Sequence, residues 1–306
     1  MNEVQIAAHD KINLTLDVTG RLPNGYHTVR MVMQSVGLHD DVTVTRNSSG
    51  AVTLTCDKAY VPTDGRNLAV RAAALFFEET GLTNEGLHID IVKRIPVAAG
   101  LAGGSTDAAA VLHALDTLYE TDLPLERLCE IGLKLGADVP YCLLGGTMLA
   151  EGIGEALTPI LPPPYCHVVL CKPPFAVSTA AVYAAIDAET LTVRPDTDGM
   201  LAALAAGDYA GVCHRLYNVM ETVTAARHSE SCADESGTRR ANRPIEPKIS
   251  MAPAMSHFIE FIGNTSFGQD RGDRKRLFHY IKCTSRPHMF QDTPRVRRFG
   301  RNWRRS

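Results

Sequence analysis

Residues 96–110 read PVAAGLAGGSTDAAA, and this stretch decides the fold. Gly100, Gly103 and Gly104 let the chain turn tightly and bring a ligand against bare backbone. Ser105 and Thr106 stand at the mouth of an Ala-rich helix. The first turn of such a helix carries free N–H groups and the positive end of the helix dipole, a seat for phosphate. The spacing is not GxxxxGK followed by Ser or Thr, which excludes the P-loop. It is not a dinucleotide fingerprint with an acidic residue about 20 positions on. The competing reading is a strand-to-helix connection whose small residues serve packing alone. The Ser-Thr-Asp triplet at the helix mouth tips the reading toward anion binding.

Working outward, Leu87 to Ile95 alternates as a strand that feeds this loop. Asn67 to Thr80 has amphipathic helical spacing, with Asn67 as N-cap and Gly81 as the helix-ending glycine. Residues 4–18 alternate as a strand. Asn24-Gly25 is a tight-turn signal. Val29 to Val36 and Val42 to Thr45 read as separate strands with Asp40-Asp41 marking a turn between them, and Val52 to Cys56 as another strand. Beyond the loop, Pro124 to Leu135 is a second helix stopped by Gly136, and Pro140 opens a short apolar segment. LPPPY, residues 161–165, is the strongest linker signal. It is followed by a strand over Cys166 to Cys171 and a helix over Ser178 to Asp187. Strands, helix, strand, glycine loop and two helices, then a Pro-rich joint and further elements, make an α+β chain of two domains rather than a regular βαβ repeat.

The chain has 306 residues, 45% of them hydrophobic, which suffices for a sizeable core. No stretch approaches 18 uninterrupted apolar residues, so no membrane span is expected. The first residues, MNEVQIAAHDKINLTLDV, lack the features of a secretory signal. The 8 cysteines show no CxxC pair, which argues against zinc and for reduced thiols in the cytoplasm. The net charge of −3 is unevenly placed. Acidic residues outnumber basic ones up to Glu221, and the balance reverses after it. From about Ala226 consistent periodicity is lost, and the end, TPRVRRFGRNWRRS, is Arg-dominated. That reads as a shifted reading frame or a diverged tail. A basic nucleic-acid-binding tail is the weaker reading, since no aromatic platform or amphipathic basic helix accompanies the charge.

PVAAGLAGGSTDAAA resembles the nucleotide loop of the GHMP kinase superfamily. Three more segments resemble one branch of it, the kinases of a cytidine-diphosphate methylerythritol. They are DKINLTLDVTGRLPNGYHTV, GLKLGADVPYCLLGGTMLAEGIGE and KPPFAVSTAAVYAAID. In order along the chain, the four cover residues 8 to about 226. The resemblance implies a ribosomal-S5-like nucleotide domain over 1–160 and a smaller ferredoxin-like domain. That second domain is represented by 166–226 and incomplete, with 227–306 as an atypical basic tail expected to be poorly ordered. It implies transfer of phosphate from ATP to the 2-hydroxyl of 4-diphosphocytidyl-2-C-methyl-D-erythritol in the non-mevalonate isoprenoid route.

The resemblance also implies roles for residues. Asp138 would accept the hydroxyl proton; its local alternative is a helix cap before Pro140. Lys11 would polarise the hydroxyl or hold Asp138 in place; its local alternative is a solvent-facing strand-end lysine. Asn13, Tyr26, His27, Thr179 and Tyr183 would contact the substrate, His27 at the cytosine edge. Pro96, Val97, Ala98, Ala99, Gly100, Leu101, Ala102, Gly103, Gly104, Ser105 and Thr106 would form the ATP loop. Mg²⁺ is expected with ATP. Its ligand is not assigned, and Asp107 is equally well read as a metal ligand or a cap. The expected partner is a small molecule, with neither nucleic acid nor membrane, and the chain is taken as a monomer or weak homodimer.

Two departures from the pattern stand out. His9 and Asp10 place polar groups directly before Lys11. The family's third glycine motif does not follow Asn218 to Glu221, and KISMAPAMSH, residues 248–257, echoes it only in composition. Activity is therefore expected to be impaired. The alternatives are a superfamily kinase for another small alcohol, such as mevalonate or homoserine, and a nucleotide-binding protein without turnover.

Overall fold

The computed structural model describes residues 2–172, 179–188 and 191–227, and three strands at 248–251, 257–262 and 279–285. Residues 228–247, 252–256, 263–278 and 286–306, where much of the expected tail falls, lie outside the described residues, as do 173–178.

The first unit is built on two long strands, β1 (Glu3–Arg21) and β2 (His27–Arg46), paired antiparallel. β3 (Val52–Cys56) leads into α1 (Leu68–Thr80). The caps of α1 are those its sequence signals. Asn67 Oδ1 accepts the Ala69 N–H, and Gly81 closes the helix at φ 70°. β4 (Leu87–Val92) precedes the glycine loop, which runs into α2 (Gly103–Leu118). α3 (Leu125–Leu133), α4 (Asp138–Leu144), β5 (Thr147–Glu151) and β6 (Ala156–Pro159) complete the unit.

Beyond the exposed linker come β7 (Cys166–Lys172), α5 (Thr179–Ala188), α6 (Thr197–Ala206), α7 (Tyr209–His214), β8 (Tyr217–Asn218) and α8 (Met220–Arg227). β9 (Lys248–Met251), β10 (His257–Ile262) and β11 (His279–Ser285) follow. The larger sheet runs β3-β4-β2-β1-β8, with β5 also on β2 and β6 on β5. The smaller runs β11-β7-β10-β9, all antiparallel. Segments past Arg227, which as sequence carry no consistent period, thus supply the two neighbours of β7 and, outside β10, the edge strand β9.

One face of the larger sheet packs on α1–α4 through Phe76, Ile89, Ile91, Leu112 and Leu115. Each such side chain contributes about 1.5–3 kcal/mol by leaving water. The other face meets β7, α6 and α7 through Ile12, Leu14, Val168, Leu170, Met200 and Leu204. The class is α+β, as expected.

The expected turn at Asp40-Asp41 does not exist: β2 passes straight through it. The reason is a buried ion network. Asp40 is fully buried, and its Oδ1 accepts the backbone N–H groups of Arg94 and Ile95. Its Oδ2 accepts from Lys93 Nζ, which also donates to Asp107 Oδ2 at 2.6 Å and to the Gly103 carbonyl at 3.0 Å. The ammonium's three protons are thus all used. Burial alone would lower the Lys93 pKa, but the charges of Asp107 and Asp40 and their hydrogen bonds outweigh it and raise it. β2, the end of β4 and the start of α2 are locked together at the root of the glycine loop.

Lys93→Met removes the cation and leaves two buried carboxylates facing each other. The expected loss is about 3–5 kcal/mol of unfolding free energy, read as a lower urea midpoint. A loss below about 1 kcal/mol would mean that the network is solvated and does not hold the elements together.

Candidate active site

The pairing of β1 with β2 slips between His9 and Lys11 and again between Asn13 and Thr15. Lys11 and Asn13 nonetheless lie on one side, with Lys11 Nζ donating to Asn13 Oδ1 at 3.3 Å. Asp138 is the first residue of α4. Its carboxylate Oδ1 lies 3.7 Å from Lys11 Nζ, with side-chain exposures of 37% for Asp138 and 6% for Lys11. The carboxylate therefore opens to solvent while the ammonium is sunk behind it. The cap position of α4 is Ala137, with no side-chain cap, so Asp138 is not there to cap the helix.

The glycine loop takes left-handed backbone at Ala98, Gly100 and Ala102, with φ of 53°, 67° and 56°. For the two alanines that costs roughly 1–2 kcal/mol each. Gly103 is closely packed: a Cβ there would meet Ile95 Cγ2 at 3.0 Å and Lys93 Nζ at 3.2 Å, so a larger residue would press on the buried lysine. No side chain caps α2, which leaves its first N–H groups facing outward. Pro96, Val97, Ala98, Ala99, Gly100, Leu101, Ala102, Gly103, Gly104 and Ser105 line the cleft. Thr106 does not: it is buried, and its hydroxyl donates to the His9 carbonyl at 3.0 Å. Asp107 neither caps α2 nor faces the cleft, since it is committed to Lys93.

On the opposite wall, the turn at Asn24-Gly25 has Gly25 at φ 89°, and Asn24 Oδ1 accepts the Tyr26 N–H at 3.1 Å. Tyr26 stands 60% exposed at the mouth. The His27 ring stacks on Tyr183 of α5, with centroids 4.7 Å apart and planes at 23°. Burial, and then the charge of Asp138, push the Tyr183 hydroxyl up to about 12. Thr179 opens α5, and its side chain lies outside the described ones.

Lys11, Asn13, Tyr26, His27, residues 96–105, Asp138 and Tyr183 border one cleft of about 1020 Å³. Arg21 and Arg66 line it as well and bring two further cations to a site read for phosphates; Lys93 also reaches the lining, with its charge already met by Asp40 and Asp107. None of the three stood out in the sequence. The available signal for Lys93 was a lone lysine ending an apolar strand. Arg21 and Arg66 flank a turn and a helix cap, where arginine is unremarkable. Among the described residues no group of three or more His, Cys, Asp and Glu could hold a metal, and no helix is long and apolar enough to cross a membrane.

Comparison with known proteins agrees with this geometry. Residues 67–146 match the GHMP kinases N terminal domain. A 4-diphosphocytidyl-2-C-methyl-D-erythritol kinase of Lachnoclostridium phytofermentans is 45% identical over 230 residues, covering 75% of this chain and 79% of its own. One of the same name from Exiguobacterium sibiricum is 48% identical over 225 residues, 74% and 78% of the two chains. A crystal structure of 4-(cytidine 5'-diphospho)-2C-methyl-D-erythritol kinase superposes with TM-score 0.66 at 33% identity, covering 85% of this chain and 90% of that one. At this identity and coverage, and with a glycine loop facing a lysine–aspartate pair, the chain is a small-molecule kinase and belongs to the 4-diphosphocytidyl-2-C-methyl-D-erythritol kinase family of GHMP kinases.

Proposed function

We propose that this chain transfers the terminal phosphate of ATP to the 2-hydroxyl of 4-diphosphocytidyl-2-C-methyl-D-erythritol in the cytoplasm. The observation that carries the proposal is the shared cleft: the glycine loop, the Lys11–Asp138 pair and the stacked His27 and Tyr183 all line it. The proposed division of labour is 1–160 for the nucleotide and 166–226 for the substrate side, joined across the exposed Leu161 and Tyr165. The free thiols of the described Cys56, Cys129, Cys142, Cys166 and Cys213 support a reducing compartment.

In this reading residues 96–105 and the uncapped start of α2 receive the phosphates through backbone N–H groups. Thr106 supports that turn from below by tying α2 to β1. Mg²⁺ bound with ATP would neutralise charge on the transferring phosphoryl group. Asp138 takes the hydroxyl proton, for which it is placed by its exposure on the cleft side. Lys11, held by Asn13, keeps a positive charge beside the hydroxyl and fixes the carboxylate. His27 and Tyr183 offer an aromatic edge and face to a cytosine base, Tyr26 covers its outer side, and Thr179 is assigned to the same base.

The test is ADP release with ATP, Mg²⁺ and the cytidine-diphosphate alcohol. Asp138→Asn is expected to lower kcat by about 10²- to 10⁴-fold with little change in thermal unfolding. Undiminished turnover would remove Asp138 from the chemistry. Tyr183→Ala is expected to raise KM for the cytidine substrate about 5- to 150-fold, the equivalent of roughly 1–3 kcal/mol of base stacking, and to leave KM for ATP within about twofold. A rise in KM for ATP instead would place the nucleotide, not the cytidine, on the His27 wall.

A further inference from the structure

Asp10 is fully buried, and neither of its carboxyl oxygens has a hydrogen-bond partner. It lies where the pairing of β1 with β2 slips, between His9 and Lys11. The groups near enough to feel its charge, or to be felt by it, are Lys11 on β1, Asp40 on β2, Lys93 at the end of β4, and Tyr141 and Cys142 on α4. Asp10 and Asp138 both push the Cys142 thiol up, beyond the larger effect of burial. Both carboxyls therefore act on the same part of α4, Asp10 being fully buried and Asp138 open to the cleft.

The charges in this cluster do not balance by ion pairing alone. Lys93 is committed to Asp40, Asp107 and the Gly103 carbonyl. Lys11 turns to Asn13 and Asp138. Three buried carboxyls, Asp10, Asp40 and Asp107, thus share two ammonium groups, and both ammoniums already face other acceptors. Burial pushes the Asp107 carboxyl up to about 7, but Asp107 keeps the Lys93 ammonium on Oδ2, whereas no ammonium is bonded to Asp10. A carboxylate buried in that way is far costlier than the neutral acid, so the balancing proton is best placed on Asp10. Burial raises the Asp10 pKa well above the ordinary range; the nearby Lys11 backbone N–H, which makes no proper hydrogen bond to it, and the Lys11 and Lys93 charges oppose this, and Asp40 adds to it.

We propose that Asp10 is a positioning residue held as the neutral acid beneath the Lys11–Asp138 pair, and that its ionisation draws the Lys11 ammonium away from Asp138. The inference rests on the roles of Lys11 and Asp138 in the kinase reading above. Its sign follows from linkage. Asp10 ionises readily in the unfolded chain and reluctantly in the folded one. Its contribution to stability is therefore present below the ordinary aspartate range and is lost as pH rises toward its folded value.

The test compares the full chain with Asp10→Asn, which cannot ionise. In the infrared spectrum at neutral pH, the native chain is expected to show a protonated-carboxyl band that Asp10→Asn lacks. The alkaline limb of the kcat–pH profile is expected to move up by about one pH unit or more in Asp10→Asn, because the group whose ionisation disturbs Lys11 is gone. Asp10→Ala, which needs no partner, should share that shift. Identical infrared spectra, coincident alkaline limbs, or failure of both neutral variants to fold would overturn the proposal. With no turnover of the cytidine substrate by the native chain, the kinase reading and the positioning role fall together, while the infrared comparison still decides whether Asp10 carries a proton.

Discussion

The Lys93 ammonium, buried between Asp40, Asp107 and the Gly103 carbonyl, is the contact on which the rest of the site depends. A glycine loop that binds phosphate through its backbone has no side chains to hold its shape. Its geometry must come from its two ends. Here both ends are tied to one cation, the incoming strand by the lysine itself and the outgoing helix by Asp107 and Gly103. Asp40 fixes the peptide groups of Arg94 and Ile95, so the loop leaves the sheet at a set angle. The left-handed turns at Ala98 and Ala102 are tolerable only because that frame is rigid.

The same frame reaches the Lys11–Asp138 pair. Thr106, one turn into α2, holds the His9 carbonyl, and His9 lies two residues before Lys11 on β1. The slip in β1–β2 pairing at that point places Asp10 and Lys11 in succession among buried groups. Lys11 thus reaches Asp138 from below while the carboxylate stays open to the cleft. The glycine loop and the Lys11–Asp138 pair, distant along the chain, are linked through neighbouring polar contacts of β1, β4 and α2. The cost is a cluster with more carboxyls than cations, and that excess bears on Asp10.

Local chemistry made some of this legible in the sequence. The caps of α1, the turn at Asn24-Gly25 and the glycine loop each depend on a few adjacent residues, and all three appear where the residues indicate. Asp40-Asp41 misled because two consecutive aspartates usually mark solvent and a turn. Only tertiary contact with Lys93 makes one of them a core residue. Lys11 and Asp138 look like a strand-end lysine and a helix cap in isolation, and resemblance to a family, not local pattern, singled them out. Thr106 sits at the helix mouth in sequence but points inward, because the 100° step per residue turns it toward β1. The strands at 257–262 and 279–285 owe their place to the two edges of β7, and 248–251 pairs in turn with 257–262; short segments without periodicity do not advertise such pairing.

The most direct measurement is phosphorus NMR of the chain incubated with ATP, Mg²⁺ and 4-diphosphocytidyl-2-C-methyl-D-erythritol. A new phosphomonoester resonance with phosphorus–carbon coupling to C2 of the methylerythritol is expected, growing as ADP forms, with the cytidine diphosphate left intact. Release of inorganic phosphate alone, or a spectrum that does not change while the protein stays folded, would contradict the proposed transfer.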